Sequence, residues 1–419
     1  MVEKRRPIKV NEAIKKVMAY AKTGQIEEIP IEQAYGRFLG EELVADHDVP
    51  MFDRSPYDGF AVRAEDTKEA NRNNPVTLEV IGEIGAGSVF EGPVGKKQAV
   101  RIMTGAQMPD DCDAVVMLEL ANEFEQGGKP YFDLKKQMKS GENISFQGED
   151  TKKGTVLASK GTYINPGIVA LLATFGYKYV PVSKKPTIGI IATGSELLQV
   201  DEPLQPGKIR NSNAYMVHAQ IERAGGHPIY FGQFSDELEV CYEQVKNTLE
   251  KVDFLITTGG VSVGDYDYLP EIYKMLGANV LFNKIAMRPG SVTTIAEING
   301  KLLFGLSGNP SACYVGMELF VRPIIRTHLQ SSRPYVNKTV AILGADFPKP
   351  NPFDRFVRGH LRYENGQLIA TPSGLDKSNV VTSLAHANVL IQLPGGTRAY
   401  EKGMGVDVLL LEDQEGTTS

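Results

Sequence analysis

The stretch VDFLITTGGVSVGDYDYL, residues 252–269, leaves an apolar run, turns through Gly259 and Gly260, and presents Asp265 and Asp267. Two readings fit a buried strand that ends this way. The acids cap the next helix. Alternatively, the turn offers backbone N–H groups and carboxylates to a phosphorylated ligand and a metal. What the neighbouring strands end in decides between them.

Outward from this stretch the chain alternates strands and helices. Apolar strand candidates are TIGIIAT (187–193), PIYFGQF (228–234), DFLITT (253–258), NVLFNKI (279–285) and LLFGLSG (302–308). The helical segments NAYMVHAQIERAG, LEVCYEQVKNTLEKV and YLPEIYKMLG lie between most of them, and SACYVGMELFVRPII follows the last. This rhythm predicts a mostly parallel sheet covered by helices on both faces, over about 186–330. Residues 8–23 and 30–45 read as short amphipathic helices. From about 48 to 140, short β-prone runs between Gly, Pro and Asn turns predict a β-rich domain. Residues 141–184 return to mixed structure, and 335–411 turn β-rich again, with GQLIAT, NVLIQL and VDVLLLE as strands.

In an open parallel sheet, ligands bind beyond the carboxyl ends of the strands. Those ends carry Gly194, Ser195 and Glu196; Ser235, Asp236 and Glu237; Gly259, Gly260, Ser262, Gly264, Asp265 and Asp267; Lys284, Arg288, Pro289 and Gly290; and Ser307, Gly308, Asn309, Pro310 and Ser311. Glycines let N–H groups approach an anion. Carboxylates repel phosphate, so Glu196, Asp236 and Asp267 make sense as ligands of Mg²⁺, a hard ion that bridges carboxylate and phosphate oxygens. Lys284 and Arg288 supply cations for an oxyanion. Singly, each residue has a structural reading, as cap, turn residue or solvated face. Repetition at every strand end favours the ligand site.

The remaining features exclude classes. A net charge of −6 leaves no basic footprint for nucleic acid. No apolar run reaches the roughly 18–20 residues of a membrane span, and no apolar core follows the basic MVEKRRPIKV start, so a cytoplasmic protein is expected. Cys112, Cys241 and Cys313 form no CxxC pair, and the six histidines are scattered, which argues against a zinc site. P-loop and GxGxxG motifs are absent from the expected places.

Taken in order, ATGSEL, PGKIRNSN, TTGGVSVGDYDYL, AMRPG and SGNPSA resemble the molybdopterin-binding domain of the molybdopterin molybdenumtransferases, the MoeA family of molybdenum cofactor biosynthesis. Upstream, SPYDGFAVRAEDT (55–67), RIMTGAQMPDDCDAVVMLE (101–119) and GENISFQGEDTKKG (141–154) extend the resemblance over nearly the whole chain. It implies four domains: a discontinuous N-terminal domain (1–47 and 141–184), an inserted β-rich domain (48–140), a three-layer α/β molybdopterin-binding domain (185–330) and a C-terminal β-barrel-like domain (331–419). It also implies a homodimer with the active site shared between subunits, Mg²⁺, and a molybdopterin adenylyltransferase as substrate donor. The implied reaction inserts molybdenum from molybdate into adenylylated molybdopterin and releases AMP.

By resemblance, Asp58 and Thr104 are functional residues of the β-rich domain, and Asp150 is a further motif acid. Glu196, Asp236 and Asp267 surround the metal, and Lys284 and Arg288 serve molybdate. Ser378 or Ser383 faces the site. The sequence departs from the family pattern where LSGNPSA replaces LPGNPVS, where Arg288 and Ser291 stand at positions often occupied by lysine, and where SFQ precedes GED. Alternative readings are an adenylyltransferase, a pterin-binding scaffold and a nucleotide-processing enzyme. The flanking domains weigh against the first, the retained acids against the second, and SPYDGFAV with the β-rich insert against the third.

Overall fold

The computed structural model describes residues 6–234, 237–260, 268–349, 352–413 and 416–418. The chain divides into two compact units, Glu42–Ala158 with Thr174–Gly176, and the remainder.

The smaller unit is built on a six-stranded sheet in the order 114–117, 59–62, 98–102, 76–84, 129–134 and 121–126. Its last hairpin turns through Gly127 and Gly128, both at positive φ, as a two-residue hairpin turn requires. Phe60 stacks on Phe132 with ring centroids 4.2 Å apart, at the centre of its core.

In the larger unit, the helix expected over 8–23 forms as Val10–Met18 and buries Val10, Ala13 and Val17 on one face. The helix expected over 30–45 does not form. Ile26–Pro30 is instead a strand paired with Tyr179–Ser183, followed by a single 3-10 turn, Ile31–Gln33. Gly36 lies at φ +78°, which breaks any helix there, and a side chain at Gly40 would collide with Ile26. Apolar spacing suited a helix, but these two glycines serve backbone turns.

The α/β domain carries strands β1 (Thr187–Ala192), β2 (His227–Gln233), β3 (Phe254–Thr258), β4 (Asn279–Phe282), β5 (Thr294–Ile298) and β6 (Lys301–Leu306) in the order β2-β1-β3-β6-β5-β4. The four strands β2, β1, β3 and β6 run parallel, and β5 is antiparallel to both β6 and β4. The sheet is therefore mixed. Strand β5 escaped the sequence reading, although Asn299-Gly300, both at positive φ, is a hairpin signal.

Helices α1 (Asn213–Ala224), α2 (Leu238–Leu249), α3 (Leu269–Met275) and α4 (Pro310–Gly316) cover the sheet. Side-chain alternation explains the three layers. Ile188 and Ile190 pack with α1 and α4, while Ile191 packs with α2 and α3. The long segment expected as one helix after Ser311 continues from α4 through a π turn, Met317–Val321, into Arg322–His328. Pro323 sits in the first turn of that last piece, where its missing N–H costs little.

Strands β7 (Lys338–Leu343), β8 (Asp354–Glu364), β9 (Gln367–Pro372), β10 (Val389–Leu393) and β11 (Gly405–Leu410) close into a barrel, because β8 pairs with both β9 and β10. Leu343, Val357, Ala370, Ile391 and Val408 are among the residues of its core. Met287–Arg288 pairs parallel with Asp354–Arg355 and so joins the α/β domain to β8. No helix among the described residues is long and apolar enough to cross a membrane.

Candidate functional site

The carboxyl ends of β1, β3 and β6 meet. Thr193 donates its N–H at 3.0 Å and its hydroxyl at 3.1 Å to the Thr258 carbonyl, and the Gly259 N–H donates to the Leu306 carbonyl at 2.9 Å. Gly259 lies at φ +93°, and a Cβ there would stand 2.6 Å from the Thr193 hydroxyl, so this turn admits only glycine. Gly194 lies at φ +130° on the facing loop. Its carbonyl accepts from Gln233, and the Ser195 carbonyl accepts from Lys208. Glu196 is exposed, with its carboxylate turned back over Gly194. Asp236, Ser262, Gly264, Asp265 and Asp267 lie outside the described residues.

The end of β6 opens into a cleft of about 370 Å³. Ser307, Asn309 and Arg288 line it from the α/β domain, and Arg355, Arg358, Asp376 and Ser378 line it from the barrel. Ser307 is buried, and its hydroxyl accepts the Asn309 N–H at 3.2 Å. Three arginines and one carboxylate thus line it. Asp376 is shared by Arg355 at 2.6 Å, Lys349 at 3.3 Å and Arg358 at 3.4 Å.

Arg358 is 1% exposed. It donates to Ser383 Oγ at 3.2 Å and to the carbonyls of Leu375 at 2.8 Å and Lys377 at 3.2 Å. Burial lowers its pKa from the ordinary arginine value, and the charge of Asp376 opposes that shift. A buried cation partly balanced by one shared carboxylate is suited to a small dianion. A wider cleft of about 630 Å³ on the barrel sets Arg362 and two histidines, His360 and His386, against Glu412. It lies away from the strand ends and its charges oppose one another.

The structure separates the two serines that the sequence left open. Ser378 lines the cleft, whereas Ser383 is buried and accepts the Arg358 Nε–H. Arg288 also lines the cleft, but Lys284 does not; its backbone carbonyl holds the Ile8 N–H at 3.1 Å. Gly260 lies at φ +64°, and Gly308 is exposed next to Asn309. Pro310 opens α4. Arg355, Arg358 and Asp376 were missed by sequence reasoning. The signal for the arginines was a β-prone run, DRFVRGH, with no apolar alternation to mark a site.

In the smaller unit, Asp58 and Thr104 come together. The Thr104 N–H and hydroxyl both donate to Asp58 Oδ1, at 2.7 and 2.8 Å. The backbone donor first and the hydroxyl second hold the exposed carboxyl below its usual value of 3.8, and Arg101 adds to the effect. A depressed carboxyl pKa favours the folded state above the unfolded value and loses that contribution as pH falls through the folded value. Asp58 therefore stays ionised throughout the neutral range. Thr104→Val removes the hydroxyl and leaves the backbone donor. The Asp58 pKa is expected to rise part of the way to its ordinary value, read from the carboxyl carbon in an NMR titration; an unmoved titration would refute the hydroxyl's share. Asp150 is exposed in the same unit.

Glycine turns at the carboxyl edge of a mixed α/β sheet, joined to a cationic cleft, define a class of enzymes that handle phosphorylated ligands and small oxyanions. Three family models match this chain: the MoeA N-terminal region (domain I and II) over residues 8–176, a probable molybdopterin binding domain over 189–327, and the MoeA C-terminal region (domain IV) over 340–411. A molybdopterin molybdenumtransferase of Bacillus subtilis is 61% identical, covering 100% of this chain and 97% of that protein. One from Staphylococcus epidermidis is 50% identical over 98% and 97%. Two solved structures of the molybdopterin biosynthesis MoeA protein from Pyrococcus horikoshii match with TM-scores of 0.84 and 0.82 at 31% and 32% identity, each covering 97% of this chain and 100% of theirs. The chain belongs to the molybdopterin molybdenumtransferase family.

Proposed function

We propose that this enzyme inserts molybdenum from molybdate into adenylylated molybdopterin and releases AMP. The observation that carries the reading is the cleft at the end of β6, which Arg288, Arg355 and Arg358 line together with one carboxylate, Asp376. Molybdate is a dianion that must approach a ligand already carrying phosphates. Fixed guanidinium groups in a partly desolvated cleft offset that repulsion without reorganising at the moment of reaction. Ser307, Asn309 and Ser378 supply neutral donors around them. The turns at Gly194, Ser195, Gly259 and Gly260 hold the pterin phosphates, Ser262 and Gly264 join them by resemblance alone, and the loop Ser307–Pro310 lies next to the metal being transferred.

Mg²⁺ belongs to this reading. The exposed carboxylate of Glu196, at the end of β1, is a hard oxygen donor of the type this ion takes. Glu196, Asp236 and Asp267 would hold it, and when bound it neutralises the pyrophosphate and polarises the bond to be cut. The dithiolene is the pterin's own, so no cysteine of the chain is needed as a ligand. Cys112, Cys241 and Cys313 are buried and form no disulfide, which is consistent with this role.

The proposal extends to four domains with boundaries near 47, 140, 184 and 330. It also includes a cytoplasmic homodimer in which Asp58 and Thr104 serve a shared active site, supplied by a molybdopterin adenylyltransferase. The test is AMP release by the purified protein from adenylylated molybdopterin with Mg²⁺, with and without molybdate. Molybdate-dependent release is expected. Tight pterin binding without release would overturn the transferase reading in favour of a scaffold, and ATP-dependent adenylylation would overturn it in favour of an adenylyltransferase.

A further inference from the structure

Two loops form facing walls of the cationic cleft, and hydrogen bonds made by residues outside the cleft lining fasten both. Ser311 is fully buried. Its N–H donates to the Ser378 carbonyl at 3.0 Å, and its hydroxyl donates to the Val380 carbonyl at 2.9 Å. One residue of the α/β domain therefore holds the barrel loop that presents Ser378. On the opposite flank, Asn213 of α1, 8% exposed, donates its Nδ2 to the Gly308 carbonyl at 2.8 Å. Its Oδ1 is buried without a partner, so the side chain is committed to that single donation. Asn213 closes the motif PGKIRNSN, whose first asparagine, Asn211, donates to the Tyr230 hydroxyl at 3.0 Å.

The fastened groups are all carbonyl oxygens. A carbonyl facing a dianion repels it, whereas N–H groups and hydroxyls attract it. Engaging the carbonyls of Gly308, Ser378 and Val380 with donors outside the cleft leaves the hydroxyls of Ser307 and Ser378 and the Asn309 side-chain amide for the ligand. The loop sequence SGNPSA supports this division of labour, because the hydroxyl at 311 faces the barrel loop and the methyl of Ala312 lines the cleft.

We propose that Ser311 and Asn213 are positioning residues of the oxyanion cleft, which set the two walls so that their donors face the anion. This rests on the oxyanion reading of the cleft made above. The test measures molybdate binding to the full-length protein by titration calorimetry, with Ser311→Ala, Ser311→Thr and Asn213→Asp beside the wild type. Removing one well-placed hydrogen bond is expected to weaken molybdate binding about tenfold in Ser311→Ala. Ser311→Thr, which keeps the hydroxyl, is expected to bind as the wild type does. Asn213→Asp sets a carboxylate against the Gly308 carbonyl and is expected to weaken binding at least as much.

In the AMP-release assay the same two weakened variants are expected to raise the KM for molybdate and leave the KM for the pterin unchanged. A residue that served stability alone would lower the melting temperature without that split. Wild-type protein that binds no molybdate would overturn the cleft reading and this one together. Wild-type binding with an unchanged Ser311→Ala would overturn the positioning role only, as would an equal rise in both KM values.

Discussion

Replacing Arg358 with alanine is expected to raise the molybdate concentration needed for half-maximal AMP release by about a hundredfold. The side chain is 1% exposed, and its donors are spent on Ser383, on two carbonyls of the 375–377 loop, and on Asp376. Truncation removes a cation from the cleft and also leaves those acceptors unpaired in a buried wall. With its donors engaged, the guanidinium acts on the anion through its charge across a partly desolvated cleft, and losing a buried charge partner of this kind typically costs on the order of a hundredfold. Loss of the scaffold contacts should add to that rather than offset it. Lysine is not expected to rescue, because an ammonium cannot reproduce the planar fork that reaches Ser383, Leu375 and Lys377 at once. Molybdate titration of AMP release, with thermal melting as a control for folding, checks this. A correctly folded Arg358→Ala enzyme with an unchanged molybdate requirement would remove the barrel from the site.

Asp376→Asn is expected to destabilise the protein by about 3 kcal/mol, the lower end for breaking a buried ion pair. The carboxylate side chain is 12% exposed and is shared by Arg355 and Arg358, which are 9% and 1% exposed as side chains. Lys349, 49% exposed, adds little through solvent. Without the carboxylate, two arginines remain close together with less opposing charge between them. An oxyanion then does more for the folded state, so molybdate is expected to raise the melting temperature of Asp376→Asn by more than it raises that of the wild type. Thermal melts with and without molybdate decide the matter. Equal shifts in the two proteins would mean that the anion binds elsewhere.

The α/β domain was readable because its strands carry local marks. TIGIIA and DFLITT are apolar runs that end in glycine, and such ends locate a ligand edge without knowledge of the pairing. Strand β5 was hidden because VTTIAEI mixes polar and apolar residues on a strand whose neighbours, not its own pattern, supply burial. The helix expected over 30–45 failed for the opposite reason. Its spacing was helical, but Gly36 and Gly40 answer to positive φ and to close approach by Ile26. In the site, Arg288, Ser307 and Asn309 were legible from position alone. Arg355, Arg358 and Asp376 were not, since nothing near them in the chain distinguishes a cleft arginine from one on a solvated strand.

The sequence by itself determined the succession of elements, the glycine-bearing strand ends and the family to which the chain belongs. The first two rest on periodicity and turn chemistry, which act within a few residues, and the family rests on the resemblance of its motifs. Only the tertiary structure decided which cations share the cleft. Closure of β8 onto β9 and β10, and the short pairing of Met287–Arg288 with Asp354–Arg355, bring Arg288 to a barrel wall encoded far along the chain. Register between remote strands is set by the packing of both partners together, so neither segment encodes it alone.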